Sequence, residues 1–504
     1  MAEHYDVIII GGGSAGCAAA SRLSEDPKRQ VLLIEAGPDP QPIPEMVAES
    51  KNQVRLLLET PYLAMYPTPR DADGSTFYNL SGRIMGGGSS VNVMAAPRPL
   101  KADMDSWAAH GNPDWSWEKV LPILKRLESY QYFPDSPLHG NSGPLYVKRP
   151  FTFDTPGADP VQAFVEAGQH KGLPLLEDTN IPDPIGVGHP PFSIKDGKRQ
   201  STVVAYLHPA RNRPNLTIIA EAQVHGLVIA GNRVTGVRYE KQGVQTTVSG
   251  QQIVLSAGVY HSAQILMLSG IGRASDLERA GVSVVKDMPG VGENYQDHPV
   301  VYLTFECKEE FNTDWIIPRV RYIYKSHADR ACANFHISLR PPTQVAGLKT
   351  MIPISASLLE QTNRGRVYLT NNDPHELPVV EPRMLEESRD IDAMTTAMDF
   401  IREIAETPMM KELYGDVLQP GPDEDWAKFA RTTYDSYHHG VGTCVMGPDT
   451  NTQSVVNEQL RVHGMANLWV ADASIMPTVT HANTNVTCIM IGERVSDFIK
   501  EAGA

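Results

Sequence analysis

The chain has 504 residues, 41% hydrophobic and 20% charged, with 40 Gly and 39 Pro; this supports a sizeable core, argues against a disordered chain, and is too long for one simple layered domain. Its 44 Lys and Arg against 59 Asp and Glu leave a net charge of −15, which disfavours nucleic acid and anionic membranes as partners. Five scattered cysteines without a C-x-x-C pair exclude a disulfide-dense scaffold and a zinc ribbon.

The opening Met1–Asp6 has no basic stretch and runs straight into an apolar segment, so no signal peptide is expected. No run of about 18 apolar residues occurs, so no membrane span is expected either. A cytoplasmic enzyme is the expectation.

Tyr5–Ile10 (YDVIII) reads as a strand buried on both faces, Gly11–Gly16 (GGGSAG) as a tight turn, and Cys17–Leu23 as a small-residue helix. Val31–Ile34 is a second strand. Leu216–Ile219 and Val224–Ile229 read as strands, and Gly231-Asn232 turns the latter into Val234–Tyr239 as a hairpin. Ile253–Leu255 is a further strand, His261–Leu268 a helix, Leu468–Val470 a strand, and Thr487–Lys500 an amphipathic helix. Residues 151–200 and 301–430 are Pro-rich and less periodic. They read as a substrate-binding domain inserted into a discontinuous nucleotide-binding domain made of 1–150, 201–300 and 431–504.

Gly11, Gly13 and Gly16 fit G-x-G-x-x-G between a strand and a helix. Such a turn brings backbone close to a pyrophosphate at a helix N-terminus. Glu35, 19 residues after Gly16, ends the second strand, where a carboxylate accepts both ribose hydroxyls and repels a 2′-phosphate. The pattern does not separate FAD from NAD. A second cluster, GRIMGGGSSVN (Gly82–Asn92), is flanked by apolar residues and reads as a buried loop against a ligand.

The chain resembles the glucose-methanol-choline (GMC) flavoprotein oxidoreductases. The resemblance is carried, in the family's order, by YDVIIIGGGSAG with VLLIEAG, by GRIMGGGSSVN followed by DSWAAHGNPDWSWEKVLP, by LSAGVYHSAQILMLSGIG, by GVGENYQDHP, and by YHHGVGTCVMGP with VADASIMPTVTHANTN. It implies an α/β fold, a Rossmann-like FAD-binding domain with an inserted substrate domain on an antiparallel sheet. It also implies FAD rather than NAD. The adenosine half falls to Gly11, Gly13, Ser14, Ala15, Gly16, Glu35, Ala36 and Val224. The flavin half falls to Arg83, Gly88, Asn92, Val93, Ala95, Asp472, Ala473 and Thr484, with Asn485 beside the pyrimidine ring. Met85 and Ala263 depart mildly from the family pattern. Val91 stands where some members carry a His bonded to FAD, so non-covalent FAD is expected.

Flavin-dependent alcohol oxidation needs a base for the hydroxyl proton, and neutral His suits that role near pH 7. A second polar group should hold the same oxygen. The resemblance assigns His439, which directly precedes G-V-G-T, as the base. If this segment is extended, His438 points away from the flavin. Asn483, six residues after Pro477, matches the second catalytic position, and Asn both donates and accepts. His481 is read as structural.

Trp107, Trp115 and Trp117 read as packing around a helix that starts near Ser116, and Asp297-His298 as structural, with no metal site expected. Cys444 and Cys488 read as apolar fillers. The compact length resembles the bacterial branch holding 5-hydroxymethylfurfural oxidase and pyridoxine 4-oxidase. That implies oxidation of a primary alcohol, a hydroxymethyl group on an aromatic or heteroaromatic ring, to the aldehyde, with O2 giving H2O2. The alternatives are a dehydrogenase using a quinone or dye, a hydroxynitrile-lyase-type flavoprotein, and a non-catalytic flavin-binding protein. The partners expected are a small-molecule alcohol and O2 or another electron acceptor.

Overall fold

In the computed structural model, which describes residues 4–70, 72–133, 135–149, 159–308, 319–342, 350–421 and 423–503, the apolar N-terminal run forms a central strand, β1 (His4–Ile10). Parts of the expected substrate domain (151–158, 309–318, 343–349 and 422) lie outside the described residues.

The same sheet contains β2 (Val31–Ile34), β3 (Leu216–Ile219), β4 (Gln223–Ala230), β5 (Arg233–Lys241), β6 (Val244–Leu255) and β7 (Leu468–Val470). The order is β3–β2–β1–β6–β5–β4, with β7 on the C-terminal end of β6. β3, β2, β1, β6 and β7 run parallel, whereas β4, β5 and the first half of β6 form an antiparallel meander. The short strand expected at Ile253–Leu255 is therefore the end of a 12-residue strand. Its polar first half pairs with β5, and its apolar end enters the parallel core beside β1.

Helix α1 (Ser14–Leu23) leaves β1 through Gly11, at φ +103°. A Cβ on Gly11 would lie 2.3 Å from the Ser256 carbonyl oxygen, and one on Gly16 would lie 1.9 Å from that of Gly11, so both positions require glycine. Helix α2 (Gly258–Leu268) follows β6, and the C-terminal helix α3 (Asn485–Glu501) packs on α1. Gly492 of α3 lets the Ala15 backbone approach so closely that a Cβ would sit 2.3 Å from its oxygen. All three helices begin two or three residues before the starts expected from side-chain propensity.

A second, eight-stranded sheet takes the order 414–419, 299–307, 351–358, 335–339, 321–324, 186–188, 175–176, with 435–436 beside 299–307. It is antiparallel except for the last pair. The helix Ser388–Ala405 buries Ile391, Met394, Met398 and Ile401 in the core on this sheet. The first sheet has its own larger core. Two layered units, each with one core, give the α/β fold with an antiparallel second sheet. Among the described residues no helix is long and apolar enough to cross a membrane.

Candidate active site

The N-termini of α1, α2 and α3 converge on one cavity of about 430 Å³ at the C-terminal edge of the first sheet. This is where strand order reverses about β1 and where open α/β sheets bind ligands. Every residue assigned to the cofactor lines it except Gly16, which is packed beneath the Gly11 turn.

The lining fits a dinucleotide with a planar end. No side-chain cap closes α1 or α3, and uncapped helix N-termini offer N–H groups and positive dipole ends to a pyrophosphate; the first N–H of α2, that of Gly258, is held by Asp472. A Cβ on Gly88 or Gly258 would touch nothing within 4 Å, and one on Gly13 would meet only the Ser256 oxygen at 3.9 Å. In a well-packed protein such emptiness over three glycines marks room kept for a ligand. The Glu35 carboxylate is buried and accepts the backbone N–H groups of Gly12 and Gly37, each at 2.7 Å. One lone pair on each oxygen is left for a diol. Burial raises its pKa despite these two bonds.

Asp472 faces the cavity but is held by neighbours: it accepts the Gly258 and Ser474 N–H groups and the Ser262 hydroxyl. Asn92 uses its Oδ1 to accept the Met94 N–H at 2.9 Å and Arg199 at 2.8 Å, which turns its NH2 donors outward. Arg199, absent from the motif reading, is buried without a carboxylate partner among the described residues, and desolvation lowers its pKa to about 9. Val91 has no atom capable of bonding covalently to a flavin.

At the other end of the cavity the structure brings His439 and Asn483 together, with Nε2 and Nδ2 3.0 Å apart. Three loops make this meeting. Residues 296–298 pair antiparallel with 437–441 through Tyr437 N–H to His298 O and a reciprocal Gln296–Val441 pair. Gln296 also reaches the loop carrying Asn483, donating to Pro477 O at 3.1 Å and accepting Val479 N–H at 3.2 Å. Asp297 accepts the His439 backbone N–H at 2.8 Å, the His298 N–H at 2.7 Å and the Ser436 hydroxyl at 2.5 Å. Burial raises the Asp297 pKa to about 6 despite these donors.

The hydrogen-bond partners fix the His439 tautomer. Arg321 Nη1 donates to Asn483 Oδ1 at 3.3 Å, so the amide nitrogen faces His439 and its N–H meets a bare Nε2. The His439 proton then sits on Nδ1, 2.9 Å from His298 Nδ1, which accepts it. His298 Nε2 carries the second ring's proton, beside the Thr480 and Leu359 backbone. Burial, His298, His438 and Arg321 hold the His439 pKa well below 6.5. Burial and the His481 charge lower that of His298 to about 3. Both rings are neutral at pH 7.

The expectation that His438 points away rested on an extended backbone, and this fails. His438 has φ +62°, in the left-handed region, and its exposed side chain lines the same cavity as His439. The left-handed kink breaks the alternation of side chains. His298 is buried, as a structural residue would be, but it contacts His439 directly; its adjacency to Asp297 in sequence held no sign of this. Burial opposes protonation of His481, but Asp103, 2.6 Å away, raises its pKa well above 6.5. Trp107 and Trp115 are fully buried, and Trp107 donates to Thr478 of the Asn483 loop. Cys444 is buried, while half-buried Cys488 touches the cavity with its pKa raised by burial to about 12.

Tyr302, Arg340 and Tyr437 also line the end near His439. None was assigned from sequence, and the inserted region offered no motif for them. Among the described residues one group has metal-ligand form: His225, Glu240 and His375, with each imidazole Nε2 3.9–4.0 Å from the Glu240 carboxylate. It borders two grooves beside this cavity, one of which shares Ala36, Arg83 and Gln223 with it.

Two family models described as GMC oxidoreductase match residues 5–300 and 361–492. The chain is 35% identical to choline oxidase of Arthrobacter globiformis, over 100% of this chain and 95% of that protein. It is 33% identical to mitochondrial choline dehydrogenase of Homo sapiens, over 99% and 90%. The solved pyridoxine 4-oxidase from Mesorbium loti matches with a TM-score of 0.92 and 29% identity, over 99% of both chains. With a cavity shaped for a flavin dinucleotide, this chain belongs to the GMC oxidoreductase family, FAD-binding enzymes that act on the CH–OH group of alcohols.

Proposed function

We propose that the enzyme oxidises a primary alcohol, a hydroxymethyl group on an aromatic or heteroaromatic ring, to the aldehyde, with His439 as general base. The observation that carries this reading is the unprotonated His439 Nε2 held 3.0 Å from an amide donor of Asn483. A substrate hydroxyl can take the place of that hydrogen bond. It donates its proton to Nε2 while Asn483 Nδ2 donates to the same oxygen. Arg321 keeps the Asn483 amide in the donating orientation. When His439 gains the proton, its Nδ1–H still donates to His298 Nδ1, so the supporting bond needs no rearrangement. Bound FAD supplies the hydride acceptor.

The cofactor is held, in this reading, by the Gly11–Gly16 turn and Glu35 at the adenosine end. Gly88, Asn92, Val93, Ala95, Asp472, Ala473 and Thr484 hold the flavin end. The aromatic side of the substrate fits Tyr302 and Tyr437 in the wall beside the base. The substrate class is supported by the match to pyridoxine 4-oxidase. For the electron acceptor we favour O2, giving H2O2. The choline dehydrogenase relative keeps a dye or quinone as the alternative.

The test is anaerobic mixing of the holoenzyme with aliphatic, aryl, sugar and amino alcohols, read as loss of flavin colour. His439→Ala should slow that loss about 100-fold or more with an active alcohol, the scale of a lost general base. Reduction of the variant at the normal rate removes His439 from the role. An absence of bleaching by any alcohol removes the oxidation itself and favours a lyase or a binding protein. Peroxide yield compared with dye reduction decides the acceptor.

A further inference from the structure

The substrate end of the cavity holds more positive charge than the chemistry above uses. Arg340 lines it, 5.8 Å from the Tyr302 ring centroid and 5.6 Å from that of Tyr437. Its Nε donates to Ser355 at 2.9 Å, and its Nη2 is buried with no hydrogen-bond partner among the described residues. Arg321 is 3% exposed; its Nη1 contacts His336 and Asn483, and its Nε has no partner among the described residues. Among the described residues no carboxylate lies within ion-pairing distance of either. Of the other arginines buried about as deeply as Arg321, Arg98 and Arg330 are paired with Glu128 and Glu360, and Arg199 is held by the Val47, Ser89 and Asn92 carbonyls and the Asn92 amide oxygen. Asp435 lines the same cavity, but it accepts the Ser436 N–H and forms no ion pair with Arg340.

A guanidinium wholly or partly withdrawn from water, with N–H groups left unpartnered and no counter-charge, gains by pairing with an anion. Its planar donors match a carboxylate. The electrostatics of the wall agree. Burial acts to raise the Tyr437 pKa, yet Arg321 and Arg340 pull it below its ordinary value. The same field opposes a cation of the choline type.

We propose that the alcohol oxidised at this site carries a carboxylate, which Arg340 binds with Arg321 reinforcing the positive field behind it. The substrate class is then a hydroxymethyl-bearing aromatic acid, in preference to a neutral alcohol or a quaternary ammonium alcohol. This rests on the alcohol-oxidising reading and adds the charge of the substrate to it.

The test uses the FAD-loaded wild-type enzyme and matched benzyl alcohols: 3- and 4-(hydroxymethyl)benzoate, the corresponding amides, and the trimethylammoniomethyl analogue. A charge-assisted pair predicts kcat/KM about 10- to 100-fold higher for the better carboxylate than for its amide, and lowest for the cation. In Arg340→Met the carboxylate-to-amide ratio falls toward one, and Arg340→Lys restores part of it. An amide equal to or better than its carboxylate overturns the proposal, as does a ratio unchanged in Arg340→Met. If the amide bleaches the flavin and the carboxylate does not, only the charge assignment fails. If neither these compounds nor the wider panel of alcohols bleaches it, the oxidation itself fails. The wild-type ratio decides the matter even if the Arg340 variants do not fold.

Discussion

His298 receives the Nδ1–H of His439 across 2.9 Å and is fully buried. Replacing it with Leu keeps much of the volume and removes the acceptor. The bond contributes differently before and after proton transfer. With a neutral imidazole it is worth about 0.5–1.5 kcal/mol, and with an imidazolium about 1.5–3 kcal/mol. The part common to both states affects the resting enzyme; only the increase, about 1–1.5 kcal/mol, lowers the barrier. At 1.36 kcal/mol per tenfold, His298→Leu should slow anaerobic flavin reduction by about 5- to 13-fold at saturating alcohol. His298→Asn puts an amide oxygen near the lost nitrogen and should recover most of the rate, whereas a residue needed only for packing would show no such rescue. The assay is stopped-flow loss of flavin absorbance. Reduction of His298→Leu at the wild-type rate, or His298→Asn as slow as His298→Leu, refutes the proposed orientation of the base.

The remaining predictions concern pH, the cofactor and the Asn483 loop. A base must be neutral to accept a proton, and burial with its cationic neighbours holds the His439 pKa well below 6.5. Flavin reduction should therefore stay level as pH falls past 6.5 and decline only in more acidic solution; an acidic limb centred at or above 6.5 contradicts this. Gly88→Val places a side chain where a Cβ now meets nothing within 4 Å, so the protein should fold, with a normal far-ultraviolet circular dichroism spectrum, but purify with little flavin. A full flavin complement would show that the space over Gly88 is not used by FAD. The His481–Asp103 pair is largely buried. Because the folded-state pKa of His481 is raised, its contribution is complete below the unfolded value of about 6.5 and fades as pH rises through the folded one. Asp103→Asn should cost about 3 kcal/mol at pH 6 in urea unfolding, and a deficit that does not shrink in alkaline solution counts against the pair.

The Gly11–Gly16 turn was legible because its constraints are local. A chain that must turn sharply at φ +103° beneath the Ser256 carbonyl requires glycine at position 11 wherever the rest of the protein lies. His439 and Asn483 were legible only through the spacing of family motifs, since 44 residues separate them and no local rule joins them. The start of α2 was placed late because Gly258 is a poor helix former; its backbone N–H is instead held by Asp472, 214 residues away in the chain. His438 was misjudged because nothing in Tyr-His-His-Gly signals a left-handed residue before Gly440. Arg321 and Arg340 were invisible for a related reason. A charged residue in a Pro-rich, weakly periodic stretch reads as solvent-facing, and only the pairing of residues 321–324 with 335–339 and of these with 351–358 brings both arginines into the second sheet beside the cavity.

These placements separate two tasks. Asn483 lies two residues before α3, which packs with α1 on the first sheet. His298 directly precedes the strand Pro299–Cys307 of the second sheet. Tyr437 to His439 follow the short strand Asp435–Ser436, which pairs with that same strand. His439 and Asn483 therefore approach from opposite units, and Gln296, hydrogen-bonded to both loops, sets the distance between them. The arginines stand on the second unit alone. A substitution at Arg340 can thus change which alcohol is admitted while the Gly11 turn, Glu35 and the N-terminus of α3 keep their places. A substitution at Gln296 should disturb binding and chemistry together, because it loosens the clamp on both halves of the pair.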